Sequence, residues 1–375
     1  MSVELLSMRR RLLLSLGLGA GVVTGASCIE LASTDSCFEM AEEADDDGIV
    51  VHAQYRPEAD GECLHENASA VSSSAKQEWC GAELEAVACG PVRNGDWCEY
   101  VVVFDEQPNP CAVIGRPFLV GAESVCAPVR QRGGWSAALG SVRLPEDPQL
   151  RAALSAHWAE VAQAEHASIA AFARFGLQLL QLGAPPRLLT ACREAMVDET
   201  RHARAAFELA ARFGGQGSLG PGSLPVADAC ADSDAVAILR DVVLEGCLGE
   251  TRAAAEAREA ARSCAEPTLR RALEAIAVDE ERHAALAWSF VAWLLDARPE
   301  LASTFAALVD SVLELPLVAP SGSVDAPSWG LLSAEARRRI DREVRRELVA
   351  PLAAALLARH QRADNSATQV HVRVC

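Results

Sequence analysis

Asp198-Glu199-Thr200-Arg201-His202-Ala203 and Asp279-Glu280-Glu281-Arg282-His283-Ala284 are two spellings of one six-residue word, and the fold follows from where they sit. On a helix, residues three apart lie ~60° apart in azimuth and ~4.5 Å apart in rise. A glutamate and a histidine at that spacing can reach one metal centre together. A lone Glu-x-x-His is weak evidence, because a chain this rich in Glu holds about one by chance. Glu62 and His65, in a cysteine-rich stretch, form such an isolated copy. A repeated Asp-Glu-x-Arg-His on two helical segments is much harder to obtain by accident.

Both words fall on apolar stripes. The first follows Leu188, Cys192 and Ala195 and precedes Ala206, Ala210 and Phe213. The second lies between Leu269, Leu273 and Ile276 and Ala287, Val291 and Leu294. Carboxylates on an inward face are costly to bury unpaired, and a cation resolves that cost. Two further helices must supply partners. Glu165 lies on a stripe with Trp158, Val161, Ser168, Phe172 and Phe175, whereas Glu160 does not. Glu250 lies on a stripe with Leu239, Val243, Cys247, Ala254 and Ala257, whereas Glu245 does not. Measured by rise per residue, the four glutamates sit ~20–27 Å from one common end of the helices. That depth requires the Gly214 to Ala231 loop to run the length of the helices, and its residues can span ~60 Å.

Helix punctuation agrees. Helix 1 is expected from about Gln149 to Leu182, stopped by Gly183-Ala184-Pro185-Pro186. Pro186, Pro267 and Pro299 suit first helical turns. They open helix 2 to about Phe213, helix 4 to about Asp296 and a fifth helix to about Leu315, with helix 3 spanning about Asp232 to Cys264. A sixth helix is expected from about Ser333 to Arg362.

The constellation resembles the ferritin-like di-iron carboxylate superfamily, in which two helices each give a lone Glu and two others each give Glu-x-x-His. The resemblance covers about residues 150–296. It implies Glu165 and Glu250 as lone ligands, and Glu199 with His202 and Glu280 with His283 as paired ligands. It also implies that Asp198 and Asp279 orient the histidines, with Arg201 and Arg282 behind them; a metal-bound imidazole needs an acceptor for its other N–H. The implied cofactor is two Fe ions, with Mn as the alternative. The predicted class is mainly α: a ferritin-like four-helix bundle over 148–297, additional helices over 298–362 and a flexible tail over 363–375.

The region before it has another character. Arg9, Arg10 and Arg11, the apolar run Leu12 to Val23 and the small residues before Cys28 read as an export signal over 1–27. Gly25-Ala26-Ser27-Cys28 resembles a loose lipobox, which would make Cys28 a lipid-bearing N-terminus; ordinary cleavage near Ala26 is the competing reading. Eight of the 13 cysteines lie between Cys28 and Cys126, so 28–135 is expected to be a small disulfide-rich α+β or β region of an exported protein. Strands are expected at Ile49 to Tyr55, Tyr100 to Phe104 and Ala112 to Val120, and partial helix over 66–89. Cys192 and Cys230 fall at the same end in the crossing topology, which predicts a disulfide between them.

The net charge of −18 is concentrated in this region, where 20 acidic residues face 6 basic ones between Cys28 and Trp135. Phosphate binding needs a basic face, so a nucleic-acid partner is disfavoured. Contact with a membrane is expected only through a lipid on Cys28, and the location is the periplasm or outer envelope. Tyr55 and Tyr100 are the only tyrosines, which excludes a tyrosyl radical within the helical domain. No Cys-x-x-Cys occurs, which argues against a self-contained rubrerythrin-type electron chain. A ferritin cage is disfavoured by the long flanks on both sides of the helices.

Three functions remain open. One is an oxidoreductase acting on O2, peroxide or Fe(II). The second is an oxygenase or oxidase of a small organic molecule. The third is a non-catalytic metal-binding envelope protein.

Overall fold

A computed structural model of the chain describes residues 3–17, 49–55, 84–94, 97–104, 118–120, 123–226, 234–314 and 325–371. It is mainly helical and divides into two compact units. The smaller unit, Thr24–Ala112 with Leu119–Ser124, contains a three-stranded antiparallel sheet. Its strands are β1 (Ile49–Tyr55), β2 (Leu84–Asn94) and β3 (Trp97–Phe104), in the order β1-β3-β2. β1 pairs with β3 from Ile49↔Phe104 to Tyr55↔Cys98 without interruption, while the β2–β3 register is broken by bulges. Helix was expected over 66–89; the part described, from Leu84, is strand. Of the strand expected over 112–120, Leu119–Val120 forms a short β4 paired with β5 (Glu123–Ser124). Cys28 lies outside the described residues.

The larger unit contains the helices. It starts earlier than Pro148, because Val125 onward packs with it. There β6 (Val129–Gln131) pairs with β7 (Leu219–Pro221), a strand within the loop that the sequence treated as bare. Trp135 stacks edge-on against His166 and Phe207.

The helix ends follow local chemistry. α2 (Pro148–Gln181) begins where Asp147 accepts a hydrogen bond from the Gln149 amide at 2.9 Å. It ends near Gly183, whose φ of 69° is open to glycine. α3 (Pro186–Gly214) has its proline in the first turn and stops at Gly215, φ 62°. The third helical segment is capped by Asp234 and comprises α4 (Ala235–Asp241), a π-helical stretch Val242–Glu250 and α5 (Thr251–Ser263). The regular helix expected from Asp232 to Cys264 is therefore interrupted. α6 (Pro267–Ala297) is capped by Glu266, which accepts from the Leu269 amide.

These four segments enclose one core. α2 packs along α3, α5 along α6, and α6 also against α3 and the π stretch. Phe172, Phe175, Phe207, Trp288 and Phe290 are fully buried in it. After a 3-10 turn at Pro299–Leu301 come α7 (Ala302–Glu314) and α8 (Ala334–Val344), then a π turn at Arg345–Val349 and α9 (Ala350–His371). Backbone helix thus continues past Arg362, where a loose tail was expected.

Residues Val3–Ser15, read from sequence as part of a leader, also form a helix, α1. Leu5, Met8, Leu12 and Leu16 are buried against the helical unit. Arg11 pairs with Glu281 on α6, which Arg258 also reaches at 2.6 Å. No helix among the described residues is long and apolar enough to cross a membrane.

Candidate metal centre

The six residues expected as ligands converge from four helical segments. Glu165 comes from α2, Glu199 and His202 from α3, Glu250 from the last turn of the π stretch, and Glu280 and His283 from α6. All six are buried, the four glutamates at 0% exposure. They form two groups, each able to hold a metal ion: Glu165, Glu199, His202 and Glu280; and Glu199, Glu250, Glu280 and His283. Within each group one ligand atom per residue lies within 4.8 Å of the others. Glu199 and Glu280 belong to both groups, so they stand between the two positions. Glu165 and Glu250 each serve one position, in keeping with their expected role as lone ligands.

The carboxylates have nothing else to bind. Both oxygens of Glu165, Glu199, Glu250 and Glu280, and Nδ1 of His202 and His283, are buried without a hydrogen-bond partner. Some approach closely without hydrogen-bond geometry. His283 Nδ1 is 3.0 Å from a Glu199 oxygen, and His202 Nδ1 is 3.4 Å from Glu280 and 3.6 Å from Glu165. Proteins pair more than 90% of buried polar groups, so ten orphaned atoms converging at one place need a physical cause. A metal ion at each position would give these carboxylates and imidazoles the partner they lack.

The groups behind the ligands fix which histidine nitrogen faces inward. His202 Nε2 lies 3.0 Å from Asp279 Oδ2, and His283 Nε2 lies 3.4 Å from Asp198 Oδ2. With Nε2 held by an acceptor, Nδ1 is the nitrogen that faces the ligand cluster and would offer its lone pair to a bound ion. Each aspartate thus serves the histidine of the other helix. The arginines bridge likewise: Arg201 reaches Asp198 at 2.9 Å and also Asp279, while Arg282 reaches Asp198 at 2.9 Å and also Asp279. The two arginines balance the two aspartates and leave the glutamate charge for a cation.

The electrostatics show how tightly the charges are held. Burial, and next the charge of Glu199, push the Glu165 carboxyl well above its ordinary range. Burial and Glu280 do the same to Glu250. Burial also acts on Glu280, but the nearby His202 and His283 outweigh it and keep that carboxyl low. Burial opposes charge on His202 and His283, yet Asp279 and Asp198 respectively raise both well above the usual imidazole range. Burial is outweighed at Asp279 too, where His202, Arg282 and Arg201 hold the carboxylate ionised.

One neighbour departs from the sequence reading. Glu245, off the inward stripe, is nevertheless buried, and it pairs with Arg174 of α2 at 2.8 Å. The wider π turn changes which residues face α2, and stripe counting assumes 3.6 residues per turn. Cys247 is buried in the core and belongs to neither metal group. Cys192 donates from Sγ to the Phe172 carbonyl at 3.1 Å, and its expected partner Cys230 lies outside the described residues. Phe172 also packs edge-on against His283, with ring centroids 5.1 Å apart.

The site is a buried cluster of mixed carboxylate and imidazole donors. Comparison of the chain with protein-family models, curated proteins and solved structures finds no match.

Proposed function

We propose that the helical core is a ferritin-like four-helix bundle holding two Fe or Mn ions, and that the protein is an exported oxidoreductase acting on peroxide, O2 or Fe(II). The observation that carries this reading is the set of ten orphaned ligand atoms around two adjacent positions. Oxygen-rich donors with one imidazole per ion suit Fe(II) or Mn(II). Thiolate-loving ions have no sulfur ligand here. If bound as Fe(II), the pair would supply the two electrons that reduce one peroxide to two waters, with two protons taken up.

The chain's own residues set the conditions. Glu199 and Glu280 hold both positions at a fixed separation. Asp198 and Asp279 orient the imidazoles, and the arginines keep those aspartates ionised. Phe172 and the surrounding apolar side chains exclude bulk water. The basic Arg9–Arg11 run followed by an apolar stretch supports export to the envelope, with Cys28 as an acceptor for lipid. An organic substrate is less well supported, because the small cavity that reaches Glu165 has room for about one water.

The test is metal content of the purified protein, beside a Glu199→Ala, Glu280→Ala double variant. The expected result is about two iron or manganese per chain, lost in the variant, and oxidation of anaerobically loaded Fe(II) on addition of peroxide. Metal without peroxide or O2 reactivity would leave a non-catalytic metal-binding protein. No metal after reconstitution would remove the reading altogether.

A further inference from the structure

A second feature borders the centre. A small, partly open cavity lies between α2, α5, α6 and the segment leading into α8, and Glu165 forms part of its lining. Trp158, two turns before Glu165 on α2, lines it ~10 Å away along the helix. Glu256 and Arg337 line it as well, paired at 2.9 Å and both buried. Gly330 forms part of the wall with φ 79°; a Cβ there would come within 2.7 Å of Leu273. The space open to the centre of a water-sized sphere is about 10 Å³, close to what one water needs.

Three of the polar residues in the lining carry atoms without partners. Trp158 Nε1 and Arg337 Nε are buried donors without partners, and both Glu165 oxygens are buried acceptors without partners. Leaving a buried donor unpaired is costly, so two around one small cavity point to an occupant that accepts hydrogen bonds.

We infer that this cavity is the entry chamber through which hydrogen peroxide reaches the metal ligands, with Trp158 and Arg337 as the donors that hold it there. The inference rests on the proposed function and deepens it by naming the substrate. Peroxide accepts hydrogen bonds at both oxygens, which suits Trp158 Nε1–H and Arg337 Nε–H. It also donates two, which suits the Glu165 carboxylate. O2 is a poor partner for all three groups, and an organic substrate is too large. Arg337 comes from α8, so a helix after the four-segment core contributes to the chamber's lining.

Two measurements test it. A high-resolution crystal structure of the metal-free protein should show one ordered water within hydrogen-bond distance of Trp158 Nε1 and Arg337 Nε. An empty cavity overturns the inference. In protein loaded anaerobically with Fe(II), Trp158→Phe removes the donor and keeps an aromatic ring. The peroxide concentration giving half-maximal oxidation should rise about fivefold, the loss of one hydrogen bond, with a smaller change in the saturating rate. The ratio of peroxide-driven to O2-driven oxidation at low oxidant should fall, while Trp293→Phe keeps the wild-type ratio. Ala260→Leu, which fills the chamber, should act in the same direction. Unchanged half-saturation in Trp158→Phe, with metal bound and peroxide consumed by the wild type, overturns the inference and leaves the proposed function standing. A wild type that binds no metal, or ignores peroxide, overturns both.

Discussion

Asp198 sits on α3, yet its carboxylate meets His283 of α6, and Asp279 of α6 meets His202 of α3. The repeated word therefore acts as two halves of one lattice, each completing the other. The sequence contained all four residues and their types, because Asp, Arg and His recur at fixed offsets. It could not show the exchange, since that depends on how the two helices face each other. The exchange has a measurable consequence. Asp198→Ala should weaken the metal position built from Glu199, Glu250, Glu280 and His283 about 10–100-fold, the usual effect of removing a group that orients a ligand histidine. The position containing His202 should lose less, although Asp198 and Glu199 are neighbours on α3. Anomalous scattering from crystals soaked in limiting Mn(II) would report the two occupancies separately. A loss confined to the His202 position would contradict the cross-helix pairing.

At the scale of the element, the legible parts were those with strong local chemistry. Pro148, Pro186 and Pro267 open α2, α3 and α6, and Gly183 and Gly215 stop the first two. The π stretch Val242–Glu250 was illegible, because its residues also fit a regular helical stripe. Within 66–89, where partial helix was expected, the described residues from Leu84 are strand: a run rich in Ala and Glu favours helix locally, but pairing with β3 prevails there. Gly246 shows why the π stretch matters. A Cβ there would lie 2.5 Å from Ala287 Cβ, so the chain approaches α6 more closely than any side chain permits. Glu250 follows four residues later and depends on that approach. Gly246→Ala should cost about 1–3 kcal/mol, the usual range for overpacking a core, and should lower metal content at the Glu250 position. Ala287→Gly in the same chain should recover much of both losses, since it removes the opposing methyl group. Urea denaturation of the four proteins of the cycle, with metal analysis of each, would check this. Additive losses in the double variant would mean that the two positions do not meet.

The molecule as a whole gathers four carboxylates into one dry core, and that arrangement is unfavourable until cations arrive. Burying an ion costs several kcal/mol after relaxation. The raised carboxyls of Glu165 and Glu250 show the same strain in the metal-free chain. Stability and metal binding should therefore be linked. An ion that binds only the folded protein, at a hundredfold excess over its dissociation constant, stabilises it by about 2.7 kcal/mol. For a unit of this size that raises the melting temperature by about 5–10 °C per ion. Excess chelator should remove the gain. A sharper test uses Glu199→Gln with Glu280→Gln, which keeps side-chain volume and deletes two of the four charges. Its metal-free form should melt at or above the metal-free wild type, and added Mn(II) should move it little. Scanning calorimetry of both proteins, with Mn(II) and with chelator, separates the possibilities. If the metal-free variant melts well below the wild type and still responds to Mn(II), the glutamates are structural partners in the core and the ion is held elsewhere. If it melts higher and no longer responds, the core has kept its carboxylates at the expense of stability, which a purely structural helical protein has no physical reason to do.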